Sequence, residues 1–128
     1  MLQLSPKRSN LRGKKILLID RCQATREARA AVLRSHAVEV HEAEHLSTAR
    51  FLWQPNVYNL VMFDIRRYSR EEALEFYEQI RAPDPPQRIV FLTGPPKYLS
   101  RTWPGEIAEG DTSRGQWNKT VKRFLAAA

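Results

Sequence analysis

The stretch Leu60–Asp64 (LVMFD) organises this chain, because it joins four consecutive apolar residues to one carboxylate. An unbroken apolar run of this length is typical of a strand that is buried on both faces of a parallel sheet. In such sheets, ligands bind beyond the carboxyl ends of the strands. We therefore expect the Asp64 side chain to lie at an edge where a functional site can form.

Two other stretches have the same form, an apolar run that ends on a polar residue. They are Ile16–Asp20 (ILLID) and Ile89–Thr93 (IVFLT), and we predict that they form the first and fourth strands. A shorter second strand is predicted at Val38–His41, and a weak fifth strand near Glu106–Glu109. Because the carboxyl ends of parallel strands share one edge of a sheet, the polar residues that end the three long strands should lie close together.

Helical patterns separate these strands. The first predicted helix runs from Thr25 to His36, and the face expected to pack on the sheet carries small or apolar residues at helical spacing: Ala28, Ala31, Val32 and Ser35. A helix start is clearest at Ser69 and Glu72, which have the spacing of a capping box. Strands that alternate with helices predict a parallel sheet with helices on both of its faces.

The helical pattern is weaker in the last third of the chain. Several prolines and glycines lie between Thr93 and Asp111, so that at most a shortened fourth helix fits between Lys97 and Trp103. The last helix is predicted from about Ser113, with its apolar residues on one face.

Length and composition restrict the function classes. The 128 residues suffice for one domain, and their formal net charge is +7. Much of this excess lies in residues 1–14, which we predict to be a basic flexible arm before a domain at 15–128. An arm without interleaved aromatic residues is weak evidence for nucleic acid, so we do not expect that partner. No apolar run predicts a membrane span, and the single cysteine, Cys22, fits a cytoplasmic protein.

Together, these stretches resemble the receiver domain of bacterial two-component response regulators over roughly Lys15–Leu125. The resemblance implies an α/β, doubly wound, five-stranded parallel sheet of order 2-1-3-4-5, the flavodoxin-like receiver fold. In that family, an aspartate after the third strand accepts a phosphoryl group from a histidine kinase. An acidic pair after the first strand holds Mg²⁺, and a threonine or serine after the fourth strand binds the phosphoryl oxygens. The resemblance therefore implies that Asp64 is the phosphoacceptor, Asp20 an acidic-pair position and Thr93 the switch hydroxyl.

The sequence departs from the family pattern at the metal site. The second acidic position is Arg21, which is always charged and offers no acceptor to a metal. Arg66 and Arg67 follow Asp64 directly, and the lysine expected after the fifth strand is not found. These three arginines are possible internal counter-charges, and we hypothesise that Arg21 or Arg66 bridges Asp64 in place of the ion. No resident cofactor is then expected, whereas Asp20 and Asp64 would be the ligands if Mg²⁺ binds.

The sequence thus predicts an atypical receiver-like signalling domain, not an enzyme, that acts through protein–protein contacts with impaired or absent phosphorylation. Its partner would be a histidine kinase or an output protein, and a homodimer is possible. One alternative is a working receiver that a histidine kinase phosphorylates at Asp64. Another is a basic module that binds anions or nucleic acid through the arm and the loop Arg66–Arg70. The three histidines lack the fixed spacing of a zinc site.

Overall fold

The structure, a computed structural model, describes residues 13–82, 86–92, 106–108 and 114–125. The strands are β1 (Lys15–Ile19), β2 (Glu39–Ala43), β3 (Leu60–Asp64), β4 (Ile89–Leu92) and β5 (Glu106–Ala108). The described helices are α1 (Gln23–Arg34), α2 (Leu46–Leu52), α3 (Arg70–Arg81) and α4 (Arg114–Leu125). Each of the first three helices connects one strand to the next, as the alternating sequence pattern predicts.

The five strands form one parallel sheet in the order β2-β1-β3-β4-β5, which is the predicted order. In its register, Ile19 of β1 lies beside Phe63 of β3, and Asp64 lies beside Leu92 of β4. The ends of β1 and β3 are therefore level. This register places Asp20, the residue after β1, next to Asp64 at the carboxyl edge of the sheet.

The unbroken apolar runs are explained by two hydrophobic clusters, one on each face of the sheet. Ile16 and Leu18 of β1 belong to a cluster that includes buried residues of α1 and α4. Leu17 and Ile19 belong to the opposite cluster, which includes buried residues of α2 and α3. Because successive side chains of a strand point to opposite faces, a strand covered on both sides needs apolar residues at every position.

The sequence prediction succeeded for one helix start and failed for one helix face. In α3, the Ser69 side chain accepts a hydrogen bond from the backbone of Glu72, whose carboxylate accepts one from the backbone of Ser69, so the capping box is confirmed. In α1, the predicted inward stripe is wrong at three of its four positions, which are exposed: Ala28, Ala31 and Ser35. The buried residues of α1 are instead Arg29, Ala30, Val32 and Leu33.

Several predictions fall on residues outside the described ranges. These are the arm up to residue 12, the switch hydroxyl of Thr93 and the shortened fourth helix between Lys97 and Trp103. The last two residues of the predicted arm belong to the fold, because the Gly13 N–H donates to Ala37 and the Lys14 carbonyl accepts from Glu39. Within the described ranges, no helix has the length and apolar character needed to cross a membrane.

Candidate functional site at the carboxyl edge of the sheet

Two buried carboxylates define the edge. Asp64 is the last residue of β3, and Asp20 follows the last residue of β1. Their side chains are 4% and 2% exposed, although aspartate is rarely buried without a partner. Two negative charges in such an environment require counter-charges, because burying an isolated ion is very costly.

The buried counter-charge is Arg29 of α1, a residue that the sequence analysis did not single out. Its Nη1 donates to Oδ2 of Asp64 at 2.7 Å and to Oδ2 of Asp20 at 2.8 Å. The Arg29 side chain is itself only 4% exposed. One guanidinium therefore bridges both carboxylates inside the protein, in a position where it can neutralise their repulsion.

Arg29 also joins the acidic edge to the last helix. Its guanidinium lies over the ring of Trp117 in α4, 5.2 Å from the centroid. The indole N–H of Trp117 donates to the backbone carbonyl of Arg29 at 3.1 Å. Because cation–π contacts strengthen where water is excluded, this stacking favours the buried position of the guanidinium. The Nε of Arg29 is buried and has no hydrogen-bond partner among the described residues. Both contacts with the carboxylates are made through Nη1.

A second guanidinium reaches Asp64 from the solvent side. Arg66 Nε lies 2.9 and 3.0 Å from the two carboxylate oxygens of Asp64, and its Nη2 lies 2.6 Å from Oδ2. The backbone N–H of Arg66 also donates to Oδ1 of Asp64. The prediction that Arg66 is an internal counter-charge of Asp64 therefore agrees with the contacts at this edge.

These contacts determine the protonation of Asp64. Burial pushes the pKa of Asp64 upward, but hydrogen bonds from Arg66 and Arg29 outweigh burial and bring this pKa below its ordinary value. The same contact raises the pKa of Arg66. Asp64 is therefore ionised at neutral pH, and every described contact of its oxygens is with a protein donor.

Asp20 is held by the start of α1. Its Oδ1 accepts from the backbone N–H of Cys22, and its Oδ2 accepts from the hydroxyl of Thr25 at 2.6 Å as well as from Arg29. Nη1 of Arg26 donates to the Asp20 carbonyl. Asp20 therefore acts as a structural acceptor that fixes the turn from β1 into α1.

The two remaining predicted counter-charges do not pair with the carboxylates. Arg21 is exposed, and its guanidinium lies over the ring of Tyr68, 5.5 Å from the centroid. Arg67 is also exposed, and no ion pair or hydrogen bond of its side chain is found within the described ranges. Of the two arginines in the hypothesis that Arg21 or Arg66 bridges Asp64, Arg66 makes the contact, whereas the guanidinium of Arg21 stacks on Tyr68.

The space at this edge is small. A recess lined by both carboxylates, Arg21, Cys22, Arg66 and Arg67 leaves about 10 Å³ for the centre of a water molecule, which is room for about one water. The pKa of the Cys22 thiol is lowered by hydrogen bonds from the backbone and side chain of Thr25. Arg21 stands at the second acidic position of the receiver pattern. Together with Arg66 and Arg67 it makes the rim of this narrow recess basic.

Mg²⁺ does not fit the residues as they are arranged. This ion requires oxygen ligands in octahedral geometry, and among the described residues that line the recess, Asp20 and Asp64 are the carboxylates. Both already accept hydrogen bonds from protein donors, and Arg29 lies between them. In the part of the chain that the structure describes, no group of three or more His, Cys, Asp or Glu residues could hold a metal ion.

Arg29 was not predicted because the wrong face of α1 was assigned to the sheet. With Ala28 and Ala31 facing inward, Arg29 would have pointed to solvent. The missed signal is the spacing of Arg29 and Leu33, which lie one helical turn apart and are both buried. An arginine on the apolar stripe of a helix, shortly after a strand that ends in aspartate, indicates a buried ion pair.

Comparisons with known proteins identify the fold. No family model matches the sequence, and no curated protein sequence matches it. Solved structures do match. The response regulator TrrA of Thermotoga maritima, in complex with Mg²⁺ and BeF, is 26% identical with a TM-score of 0.70, over 87% of this chain and 98% of that chain. An orphan response regulator of H. pylori is 16% identical with a TM-score of 0.70, over 89% of this chain and 95% of that chain.

A third match is TrrA in complex with the histidine kinase ThkA of the same organism. There the identity is 26% and the TM-score is 0.69, over 88% of this chain and 98% of that chain. The chain therefore has the fold of a response-regulator receiver domain, as its sequence resemblance implies.

Proposed function

We propose that this chain is an atypical receiver domain in which the guanidinium of Arg29 takes the place of the divalent cation. The observation that carries the proposal is the buried bridge from Nη1 of Arg29 to both Asp20 and Asp64. The domain signals through protein–protein contacts, and Asp64 is not phosphorylated in a Mg²⁺-dependent cycle.

The chemistry of phosphoryl transfer supports this proposal. A carboxylate that attacks a phosphorus atom needs a free lone pair and a metal that polarises the phosphoryl oxygens. The Asp64 oxygens face donors from Arg29 and Arg66, so a nucleophilic approach would first require those hydrogen bonds to break. Breaking the contact with Arg29 would leave buried charges without their partner, and an uncompensated buried charge is strongly destabilising.

The link to α4 supports a role in protein interaction. In a receiver fold, the face formed by the fourth strand, the fourth helix, the fifth strand and the last helix is commonly used for dimers or effectors. Here Trp117 of α4 contacts the same Arg29 that neutralises the acidic edge. An edge that is permanently neutralised therefore holds α4 in one position, and the domain presents one constant surface to a histidine kinase, an output protein or a second copy. This makes it an interaction module, not an enzyme.

The main alternative is a working receiver that a histidine kinase phosphorylates at Asp64. It is favoured by the similarity to TrrA, whose structures hold Mg²⁺ and BeF or the kinase ThkA. In that case, Mg²⁺ would have to compete with Arg29 for both carboxylates.

A Mg²⁺ titration followed by acetyl phosphate separates the two functions. We expect no saturable Mg²⁺-dependent NMR shift at the amides of Cys22 or Arg66, and no phosphorylated species in the intact mass spectrum. TrrA, treated in the same way, is the positive control. A mass gain that requires Mg²⁺ and that is lost in Asp64→Asn would refute the proposal.

A further inference from the structure

In the described part of the chain, the rim of the acidic edge carries more positive charge than its carboxylates neutralise. Asp20 and Asp64 are matched by the guanidinium groups of Arg29 and Arg66. Arg21 and Arg67 line the same recess, and neither has a carboxylate partner among the described residues. Among the residues that the structure describes here, two positive charges are therefore left over at the place where a receiver fold otherwise concentrates negative charge.

The rim also has free hydrogen-bond donors. Arg66 uses Nε and Nη2 for Asp64, and within the described ranges its Nη1 has no acceptor. Arg21 lies over the Tyr68 ring, a contact that occupies the face of the guanidinium and leaves the N–H groups at its edge available. Arginine presents these groups in a planar fork that matches the oxygen atoms of a phosphate.

The start of α1 adds to this potential. The helix has no acidic residue in its first turn, and its N-cap residue, Cys22, makes no side-chain capping hydrogen bond. Within the helix, no carboxylate offsets the partial positive charge of this N-terminus; the carboxylate that lies there is Asp20, whose charge is already matched by Arg29. Cys22 lines the recess together with Arg21 and Arg67, so this contribution acts at the same place as the two arginines.

From this charge arrangement we infer that Arg21, Arg66 and Arg67 bind a small oxyanion, phosphate or a phosphomonoester, without Mg²⁺. The inference rests on the proposed function, because it requires Asp20 and Asp64 to be neutralised from within. With room for about one water inside the recess, the anion lies on the rim and is held by the arginine forks. The acidic, metal-binding site of a receiver has become a basic, anion-binding one.

Phosphate titrations in the presence of EDTA test this inference. The full chain is followed by ¹⁵N NMR while inorganic phosphate, and in a second arm phenyl phosphate, replaces chloride at constant ionic strength. We expect saturable shifts at the amides of Cys22, Gln23 and Arg67. Saturation by inorganic phosphate alone assigns the site to the free ion, and saturation by both assigns it to phosphomonoesters as well.

Matched double variants separate specific binding from a general charge effect. R21Q/R67Q should weaken phosphate binding by about fivefold or more, because it removes two charge-assisted contacts. K119Q/K122Q changes two exposed lysines of α4 and lowers the net charge by the same amount, but it should leave the affinity within about twofold. An equal loss in both variants, or no saturable shift in the parent chain, overturns the inference.

A repeat of the titration with Mg²⁺ distinguishes failure of this inference from failure of the proposed function. Phosphate shifts that appear only with Mg²⁺ contradict both, because the carboxylates would then bind the ion. A chain that responds neither to Mg²⁺ nor to phosphate contradicts the anion site alone.

Discussion

Replacing Arg29 by methionine is the sharpest perturbation of the buried bridge. Methionine fills much of the volume of the arginine stem but removes the charge, which leaves Asp20 and Asp64 buried side by side. Removing one partner from a buried ion pair costs about 3–5 kcal/mol. Loss of the stacking on Trp117 adds to this cost. Since domains of this size are stable by about 5–15 kcal/mol, Arg29→Met should remove much of the free energy of unfolding.

Urea denaturation, followed by the fluorescence of the tryptophans, measures this effect. With a typical slope of about 1–3 kcal/mol per molar urea, the midpoint should fall by at least about 1 M. The matched control is Arg34→Met in the same helix. Arg34 is half-exposed and paired with Glu42, and an exposed pair contributes only about 0–1 kcal/mol.

Two further variants keep this prediction testable if Arg29→Met does not fold. Changing Asp20 and Asp64 to asparagine in the Arg29→Met background removes the uncompensated charges and should restore most of the stability. Mg²⁺ should stabilise Arg29→Met but not the parent chain, because the uncovered carboxylates become available to an ion that binds only the folded state. A loss below about 1 kcal/mol in Arg29→Met would refute the bridge.

Three other expectations follow from the described contacts. Ser69→Ala removes the capping box of α3 and should lower the free energy of unfolding by about 1 kcal/mol in thermal denaturation, whereas Ser69→Asp, which can also cap, should retain most of it. Trp117→Phe keeps a ring beneath Arg29 but loses the indole donor, so a loss of about 1 kcal/mol is expected in urea denaturation; no loss would mean that the hydrogen bond to the Arg29 carbonyl is absent. The lowered pKa of Asp64 stabilises the fold above about pH 4, and this stabilisation disappears as the pH falls through the lower folded-state pKa. Asp64→Asn should remove that part of the pH dependence, and an unchanged acid transition would contradict the assignment.

The strands could be predicted from the sequence because their signal is local. A strand that is covered on both faces needs apolar residues throughout, and Leu60–Asp64 meets this requirement without help from the rest of the chain. The capping box at Ser69 is local in the same way. The parallel register then follows from the alternation of strands and helices, so the meeting of Asp20 and Asp64 could be predicted from their places in the chain.

The bridge could not be predicted in this way, because it depends on the rotation of one helix. A shift of the inward face of α1 by one residue position moves Arg29 from solvent to the interior, and alanines on both faces left the periodicity ambiguous. The contact with Trp117 joins residues 88 positions apart, and it could not be inferred from spacing along the chain. The prediction of an internal arginine counter-charge still agrees with the contact between Arg66 and Asp64. The buried counter-charge, however, is Arg29, which was not predicted.

A crystal structure of the full chain grown at high MgCl₂ concentration would test the central claim most directly. The account predicts that Nη1 of Arg29 remains within hydrogen-bond distance of both Asp20 and Asp64, with no metal between them. A magnesium ion coordinated by the two carboxylates, with the Arg29 side chain displaced, would contradict it.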